Sequence, residues 1–237
     1  MKVALCFFGQ PRLLENPHTY NSHVENIINK YPTDIYVHNW ISSENNKFTY
    51  SDWALDKMQE DWKQEHSQDV KDKINEMYSP IASKFDTVRT FQLSDSSRKL
   101  IKNLSFYSTN NENNTLSQLY SISECIKLVQ KDDYDFVILS RYDNYIYSLP
   151  DLNKLDRNNF YITNMYAHFA DVLVIGGVKQ VKSLICFDKI EQMCSKLTMF
   201  TPEEFKKIAL YENQFTETRV EINVGIARTL TMDHIQK

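Results

Sequence analysis

Short hydrophobic runs alternate with amphipathic stretches along this chain. Four apolar runs predict strands near residues 2–8, 34–39, 87–92 and 136–140. The last run has no polar alternation, so we expect a central strand that is covered on both faces. Between the first two runs, apolar residues recur at helical spacing from Tyr20 to Ile28. This strand, helix, strand order predicts a right-handed parallel crossover.

The rest of the pattern adds helices and two further strands. The clearest amphipathic helix is predicted from Leu116 to Val129, and the polar, Asn-rich stretch from Ser105 to Thr115 predicts a mobile loop. Other stretches predict one or two helices in 41–84, strands at 160–163 and 171–175, and mostly helix from 179 onward. The predicted fold class is therefore α/β, a single domain over 1–237 with a mainly parallel sheet flanked by helices.

Composition narrows the classes of partner. The chain has 237 residues, 42% of them hydrophobic, with a net charge of -4 and no dense Lys/Arg run, so nucleic acid is not an expected partner. The longest apolar runs are far below the roughly 20 residues that span a bilayer, so we expect no membrane span and a cytoplasmic protein. The four cysteines lack zinc-site spacing and are expected to be free thiols.

Glycine is scarce, which limits how the chain can bind a nucleotide. Only four glycines occur, at positions 9, 176, 177 and 225. Neither a dinucleotide-binding G-x-G-x-x-G nor a phosphate-binding G-x-x-x-x-G-K-[ST] can be formed from them. If the protein binds a nucleotide diphosphate, side-chain cations and a metal must neutralise the phosphates.

Polar side chains follow three of the predicted strands. Arg12 follows the first, His38 and Asn39 end the second, and Arg141 and Asp143 follow the run at 136–140. In a parallel sheet these positions converge on one edge. Each has an alternative role: Arg141 and Asp143 as a surface ion pair, Arg12 as a helix cap or a partner of Glu15, and His38 as a structural histidine.

Four segments of the chain occur in an order and spacing that we compare with known families: Val3 to Arg12, Asp34 to Trp40, Ser117 to Ile122 and Phe136 to Asp143. Together they resemble the GT-A-type glycosyltransferases that use nucleotide sugars in bacterial and large-virus surface-glycan pathways, including lipopolysaccharide enzymes similar to the WavE group. The resemblance implies a hexosyl- or pentosyltransferase with a nucleotide-sugar donor, most simply a UDP-sugar, and a glycan or glycolipid acceptor. It also implies a nucleotide-sugar-binding part at 1–145 and an acceptor-side part at 146–237.

GT-A enzymes usually carry Asp-x-Asp where this chain has Arg141 and Asp143. The resemblance therefore implies Asp143 as an exposed ligand of Mn²⁺ or Mg²⁺, while a guanidinium at Arg141 could take over part of the metal's role. Gln118 could reach the sugar or ribose, or be an ordinary exposed helix residue. The substrate-binding residues implied in this way are Gly9, Gln10, Arg12, His38, Asn39, Gln118, Arg141 and Tyr142.

Transfer of a sugar with inversion needs a carboxylate that accepts the acceptor's hydroxyl proton. Asp171 and Glu212 are the two candidates, and either could simply end a strand or a helix. Trp40 and Tyr142 are the aromatic residues predicted nearest the cleft. The rival hypothesis is a non-catalytic carbohydrate- or nucleotide-binding protein of the same fold; a metal-dependent hydrolase is disfavoured because no His and carboxylate cluster is evident.

Overall fold

The computed structural model describes residues 1–14, 16–41, 70–166, 169 and 173–227. Nine strands are described in this part of the chain: β1 Val3–Gly9, β2 Thr33–Ile41, β3 Ala82–Thr87, β4 Phe136–Ser140, β5 Asn144–Ser148, β6 Phe160–Thr163, β7 Leu173–Gly176, β8 Glu217–Val220 and β9 Asn223–Ile226. The main helices of the described residues are α1 Pro17–His23, α2 Val70–Tyr78, α3 Asp95–Ile101, α4 Thr109–Leu128, α5 Val178–Lys182, α6 Ile190–Met193 and α7 Pro202–Glu212.

Seven of these strands form one sheet in the order β3-β2-β1-β4-β7-β6-β8. The first four strands are parallel, with β1 between β2 and β4, and β7 then pairs antiparallel with both β4 and β6. Strand β8 pairs parallel with β6, while β5 and β9 form a separate two-stranded antiparallel sheet. The predicted α/β class with a mainly parallel sheet flanked by helices is confirmed.

Alternate residues of β1 fill two apolar layers, one on each face of the sheet. Val3, Leu5 and Phe7 pack on the side of α1 and α2, and the intervening residues pack against α4 on the other side. This alternation follows from the two-residue period of a strand. Every residue of β4 is buried, as the uninterrupted run from 136 to 140 predicts.

Two predicted elements differ from the structure, one in its position and one in its type. The third strand is β3 at Ala82–Thr87, not 87–92, because its polar residues suit the half-exposed edge of the sheet rather than a buried run. The Asn-rich stretch is not wholly a loop, since α4 begins at Thr109 with the Ser108 side chain accepting a hydrogen bond from the Asn111 N–H at 3.1 Å.

The structure also differs from the sequence pattern in its later strands and helices. Strands β5, β8 and β9 are not predicted by the sequence pattern, and the stretch from 179 onward is only partly helical. Most of the region predicted as one or two helices, 42–69, lies outside the described residues, and α2 follows it. All four cysteines are buried free thiols. Among the described helices, none combines the length and apolar character needed to cross a bilayer.

Candidate functional site

The carboxyl ends of β1, β2 and β4 bring most of the predicted site residues to one edge of the sheet. The strand register pairs Gly9 with Asn39 and Phe7 with Ser140, so the loops after β1 and β4 leave the sheet side by side. The strand order turns at β1, because the α1 crossover leads to β2 on one side while β4 lies on the other. Ligands of open α/β sheets bind at such a switch point.

The loop after β1 is a compact turn. Gly9 has a φ of +92°, a left-handed conformation that favours glycine. The main-chain N–H of Arg12 donates to the Gln10 carbonyl at 2.8 Å, and Arg12 Nε donates to Gln10 Oε1 at 2.7 Å. Arg12 is half-buried and does not cap α1, since Asn16 accepts hydrogen bonds from two N–H groups there. The alternative partner Glu15 lies outside the described residues.

The loop after β4 carries an ion pair. Arg141 binds Asp143 with two nitrogens, Nε donating to Oδ1 at 2.8 Å and Nη2 donating to Oδ2. The Asp143 side chain is only 1% exposed and that of Arg141 24%. The expectation of an exposed carboxylate at Asp143 is therefore wrong, because Arg141 covers both of its oxygens. The segment after β9 also lies beside it, since Ala227 N–H donates to the Asp143 carbonyl at 2.8 Å.

Asn39 and Tyr142 are buried behind these loops. The Tyr142 hydroxyl donates to Asn39 Oδ1 at 2.9 Å, and Asn39 Nδ2 donates to the Gly9 carbonyl at 3.0 Å. The Tyr142 ring stacks on Phe7 at 4.6 Å, and burial raises its pKa. Both side chains thus support the loops from within the protein.

His38 is fully buried on the α4 side of the sheet and belongs to a chain of polar groups. Its Nε2 lies 3.1 Å from Asp86 Oδ2 and its Nδ1 lies 2.7 Å from Ser121 Oγ. Because a carboxylate can only accept, Nε2 carries the proton and Nδ1 accepts from the serine hydroxyl. Burial lowers the pKa of His38, while Asp86 opposes that shift. These contacts agree with the structural role that the sequence left open for His38, and its predicted contact with a substrate stays a prediction.

Ser121, His38 and Asp86 have the composition of a hydrolytic triad but not its accessibility. Ser121 is fully buried, and its oxygen accepts the Gly9 N–H at 2.7 Å. A serine nucleophile must face its substrate and an oxyanion site. The arrangement therefore acts as a structural connection between α4, β1, β2 and β3.

An aromatic stack stands beside this network. Tyr120 stacks on Trp40 with ring centres 5.4 Å apart, and the Arg89 guanidinium lies 4.5 Å from the centre of the Tyr120 ring. Tyr120 also donates to Asp86 Oδ2 at 2.8 Å. Trp40 is 2% exposed, so the ring presented nearer the surface is Tyr120, not Trp40. Sequence patterns missed Tyr120, Ser121 and Asp86 as site residues.

The remaining predicted residues lie apart or outside the described part. Gln118 is half-buried on α4, one turn before Ser121. Glu212 ends α7 and forms an ion pair with Lys196. Asp171 lies outside the described residues. A depression of about 450 Å³ beside Met1 and Phe136 lies at the opposite, amino-terminal edge of β4.

The described residues do not form a metal site. No group of three His, Cys, Asp or Glu side chains in the described part of the chain is placed to hold an ion. Asp143 is the predicted ligand, and both of its oxygens accept hydrogen bonds from Arg141. Divalent cations such as Mg²⁺ need several oxygen ligands, so the described residues alone do not fit the predicted Mn²⁺ or Mg²⁺.

Comparisons with known proteins give a limited result. No protein-family model matches the chain, and no curated protein matches it. Among solved structures, it is similar to the apo form of the glycosyltransferase GlyE from Streptococcus pneumoniae TIGR4, with 11% sequence identity and a TM-score of 0.39. The match covers 92% of this chain and 44% of that one, so the chain spans less than half the length of GlyE. A similarity this low assigns neither fold family nor activity.

Proposed function

We propose that this chain is a glycosyltransferase with a GT-A-like fold that moves a sugar from a nucleotide-diphosphate sugar, most simply a UDP-sugar, to a glycan or glycolipid acceptor. The observation that carries the proposal is the convergence of Arg12, Arg141 and Asp143 at the carboxyl ends of the adjacent parallel strands β1 and β4. This edge is the switch point of the sheet, where α/β proteins bind nucleotides.

The charges of the two loops suit a diphosphate leaving group. In glycosyl transfer the bond between the anomeric carbon and the diphosphate oxygen breaks, and a bond from that carbon to the acceptor oxygen forms. Guanidinium groups bind phosphate oxygens with two parallel hydrogen bonds and stabilise the charge that develops on the leaving group. We assign this role to Arg12 and Arg141. Arg141 would have to release Asp143 before it could bind phosphate through the same Nε and Nη2 atoms.

In a transfer with inversion, the acceptor's hydroxyl proton passes to a carboxylate. Asp171 and Glu212 remain the proposed candidates for this base. Glu212 would have to leave its ion pair with Lys196 before it could accept a proton. Variants of both residues in the full chain, assayed for transfer and for donor hydrolysis, would separate them, because only the base is needed for transfer to the acceptor.

In the proposed mechanism, cationic side chains of the protein neutralise the charge of the diphosphate. Mn²⁺ or Mg²⁺ at Asp143 remains an expectation of the family resemblance, and the bidentate Arg141–Asp143 pair opposes it. Incubation with a panel of UDP- and GDP-sugars, with Mn²⁺ and with a chelator, tests both points. We expect slow donor hydrolysis that persists in part with the chelator; no binding and no hydrolysis of any donor would contradict the proposal.

The ion pairs also favour a second candidate function. The two described carboxylates with proposed chemical roles, Asp143 and Glu212, are both held by basic side chains. A non-catalytic carbohydrate- or nucleotide-binding protein would not need either carboxylate to leave its ion pair. Nucleotide-sugar binding by calorimetry without hydrolysis or transfer under any metal condition would support this alternative.

Arg12 offers the sharpest single-residue test. Arg12→Ala should raise the donor dissociation constant roughly tenfold or more, because one charge-assisted contact is worth about 1.5–3 kcal/mol. Arg157→Ala is the matched control, since its side chain is 71% exposed and lies beside the depression at the opposite edge of the sheet. Equal UDP affinities for the wild type and Arg12→Ala in calorimetry would make Arg12 structural only.

A further inference from the structure

The last residue of β1, Gly9, is held on both sides by buried side chains. Gly9 N–H donates to Ser121 Oγ of α4 at 2.7 Å, and the Gly9 carbonyl accepts from Asn39 Nδ2 of β2 at 3.0 Å. Glycine can adopt more backbone conformations than other residues. These two hydrogen bonds hold Gly9 in its left-handed conformation, which sets the direction of the following residues. Gln10 and Arg12 follow within three residues.

Ser121 is the centre of this arrangement. Its hydroxyl accepts the Gly9 N–H and contacts both the Nδ1 atom of His38 at 2.7 Å and the His38 carbonyl at 3.2 Å. Asp86 fixes the other side of the imidazole at 3.1 Å. Because Ser121 and His38 are both fully buried, neither can touch a donor bound at the edge of the sheet.

We propose that Ser121 is a positioning residue that holds the Gly9–Arg12 loop in its donor-binding conformation. The functional part of this inference rests on the proposed function; the structural part does not. Without the serine oxygen, the Gly9 N–H loses its hydrogen-bond partner in the protein. Because a buried N–H without a hydrogen bond is unfavourable, the loop would shift to conformations in which this N–H binds water. Arg12 would then meet the diphosphate in only a fraction of the molecules.

The same helix supplies a matched control. Ser123 is two residues further along α4 and equally buried, and its Oγ accepts the N–H of Phe187 at 3.3 Å. Ser123→Ala therefore also removes a buried hydroxyl that accepts one backbone N–H. Its partner belongs to the helical region after α5, away from the loop.

The experiment compares Ser121→Ala, Ser121→Thr and Ser123→Ala in the full chain. Amide exchange of Gly9 is followed by NMR, and UDP affinity is measured by calorimetry. We expect Ser121→Ala to speed Gly9 exchange and to raise the UDP dissociation constant, each by about tenfold, the effect of losing one hydrogen bond. Ser121→Thr keeps the hydroxyl and should restore both values, and Ser123→Ala should change neither even if it lowers the melting temperature.

The two readouts separate the possible failures. Unchanged Gly9 exchange in Ser121→Ala would overturn the positioning role, whatever the binding result. Faster exchange with unchanged UDP affinity would also overturn it, because the loop conformation would then not matter for the donor. A wild type that binds no nucleotide would remove the proposed function, while the exchange data would still decide whether Ser121 holds the loop. If Ser121→Ala does not fold, Ser121→Cys replaces it in both measurements. Its thiol is a weak acceptor, so the same two increases are expected.

Discussion

Two buried histidines support the candidate site from opposite faces of the sheet, and their surroundings differ. His38 contacts Ser121 and the carboxylate of Asp86 on the α4 side. Both ring nitrogens of His23, at the end of α1, bind neutral groups: Nε2 donates to the Asn144 carbonyl at 2.8 Å, and Nδ1 accepts from the Tyr78 hydroxyl at 3.0 Å. His38 supports the end of β1 through Ser121, and His23 binds the first residue of β5, directly after the loop that follows β4.

The difference between the two histidines is electrostatic. Complete burial among aromatic rings lowers the pKa of His23 to about 4, because the hydrogen bond to Asn144 and the charge of Asp143 offset little of the desolvation. For His38, Asp86 opposes the lowering. The loop after β4 thus depends on a histidine that must stay neutral, whereas the histidine under the loop after β1 has a partner for its charged form.

The largest effect is expected from His23→Ala. The change leaves a cavity and removes the partners of the Asn144 carbonyl and the Tyr78 hydroxyl, which together cost about 3–4 kcal/mol in the free energy of unfolding. Urea unfolding measures this loss. His18→Ala on the exposed face of the same helix is the control and should change stability by less than about 0.5 kcal/mol. A loss below 1 kcal/mol for His23→Ala would show that the site tolerates its absence.

The pH dependence of stability comes next in size. Because the pKa of His23 is lower in the folded chain than its ordinary value of 6.5, the unfolded chain takes up the proton first as the pH falls. The contribution is complete above about pH 6.5 and is lost as the pH falls towards 4. Between pH 7.5 and 4.5 the stability difference between wild type and His23→Gln should shrink by about 2.5 kcal/mol. A constant difference would mean that His23 titrates normally.

Tyr142 connects the two regions. Its ring stacks on Phe7 next to His23, and its hydroxyl bonds to the Asn39 side chain that holds Gly9. Tyr142→Phe keeps the ring and removes one buried hydrogen bond, so we expect a loss of about 1–1.5 kcal/mol in urea unfolding. Tyr145→Phe, where the ring contacts Tyr147, serves as the control. Equal stabilities of the two variants would argue against a role of this hydroxyl in connecting the loops.

The smallest effect is expected at Asp86. Asp86→Asn removes the carboxylate that favours the charged form of His38, so the pKa of His38 should fall further in an NMR titration. The side chain of Asp86 is 27% exposed, and stability at neutral pH should change by less than about 1 kcal/mol. Glu124→Gln should lower the pKa of His38 by less. A rise in the pKa of His38 in Asp86→Asn would mean that the two groups do not interact as described.

The sequence predicted the elements whose signal is local. The uninterrupted apolar run from Phe136 predicts a buried strand, and the helical spacing of apolar residues from Leu116 onward predicts α4. The edge strand β3 was missed because Ser83, Lys84 and Asp86 face solvent or polar partners and interrupt the apolar run. Strand-end positions identified the carboxyl edge, which the parallel register brings together.

The supporting residues could not be predicted in the same way. In sequence, Ser121 is one polar residue within an amphipathic helix, and its only signal is that it precedes Ile122 on the face that meets the sheet. Its importance depends on Gly9 and His38, which are 112 and 83 positions away. The Arg141–Asp143 pair was open between ligand binding and a surface ion pair. The structure has an ion pair with a buried carboxylate, and ligand binding by Arg141 stays a prediction.

The most direct test is a crystal of the full chain soaked with UDP in the presence of a chelator. We expect diphosphate density at the carboxyl ends of β1 and β4, within hydrogen-bonding distance of Arg12 and Arg141. Nucleotide density at the amino-terminal edge beside Met1 and Phe136, or a diphosphate that contacts neither arginine, would contradict it.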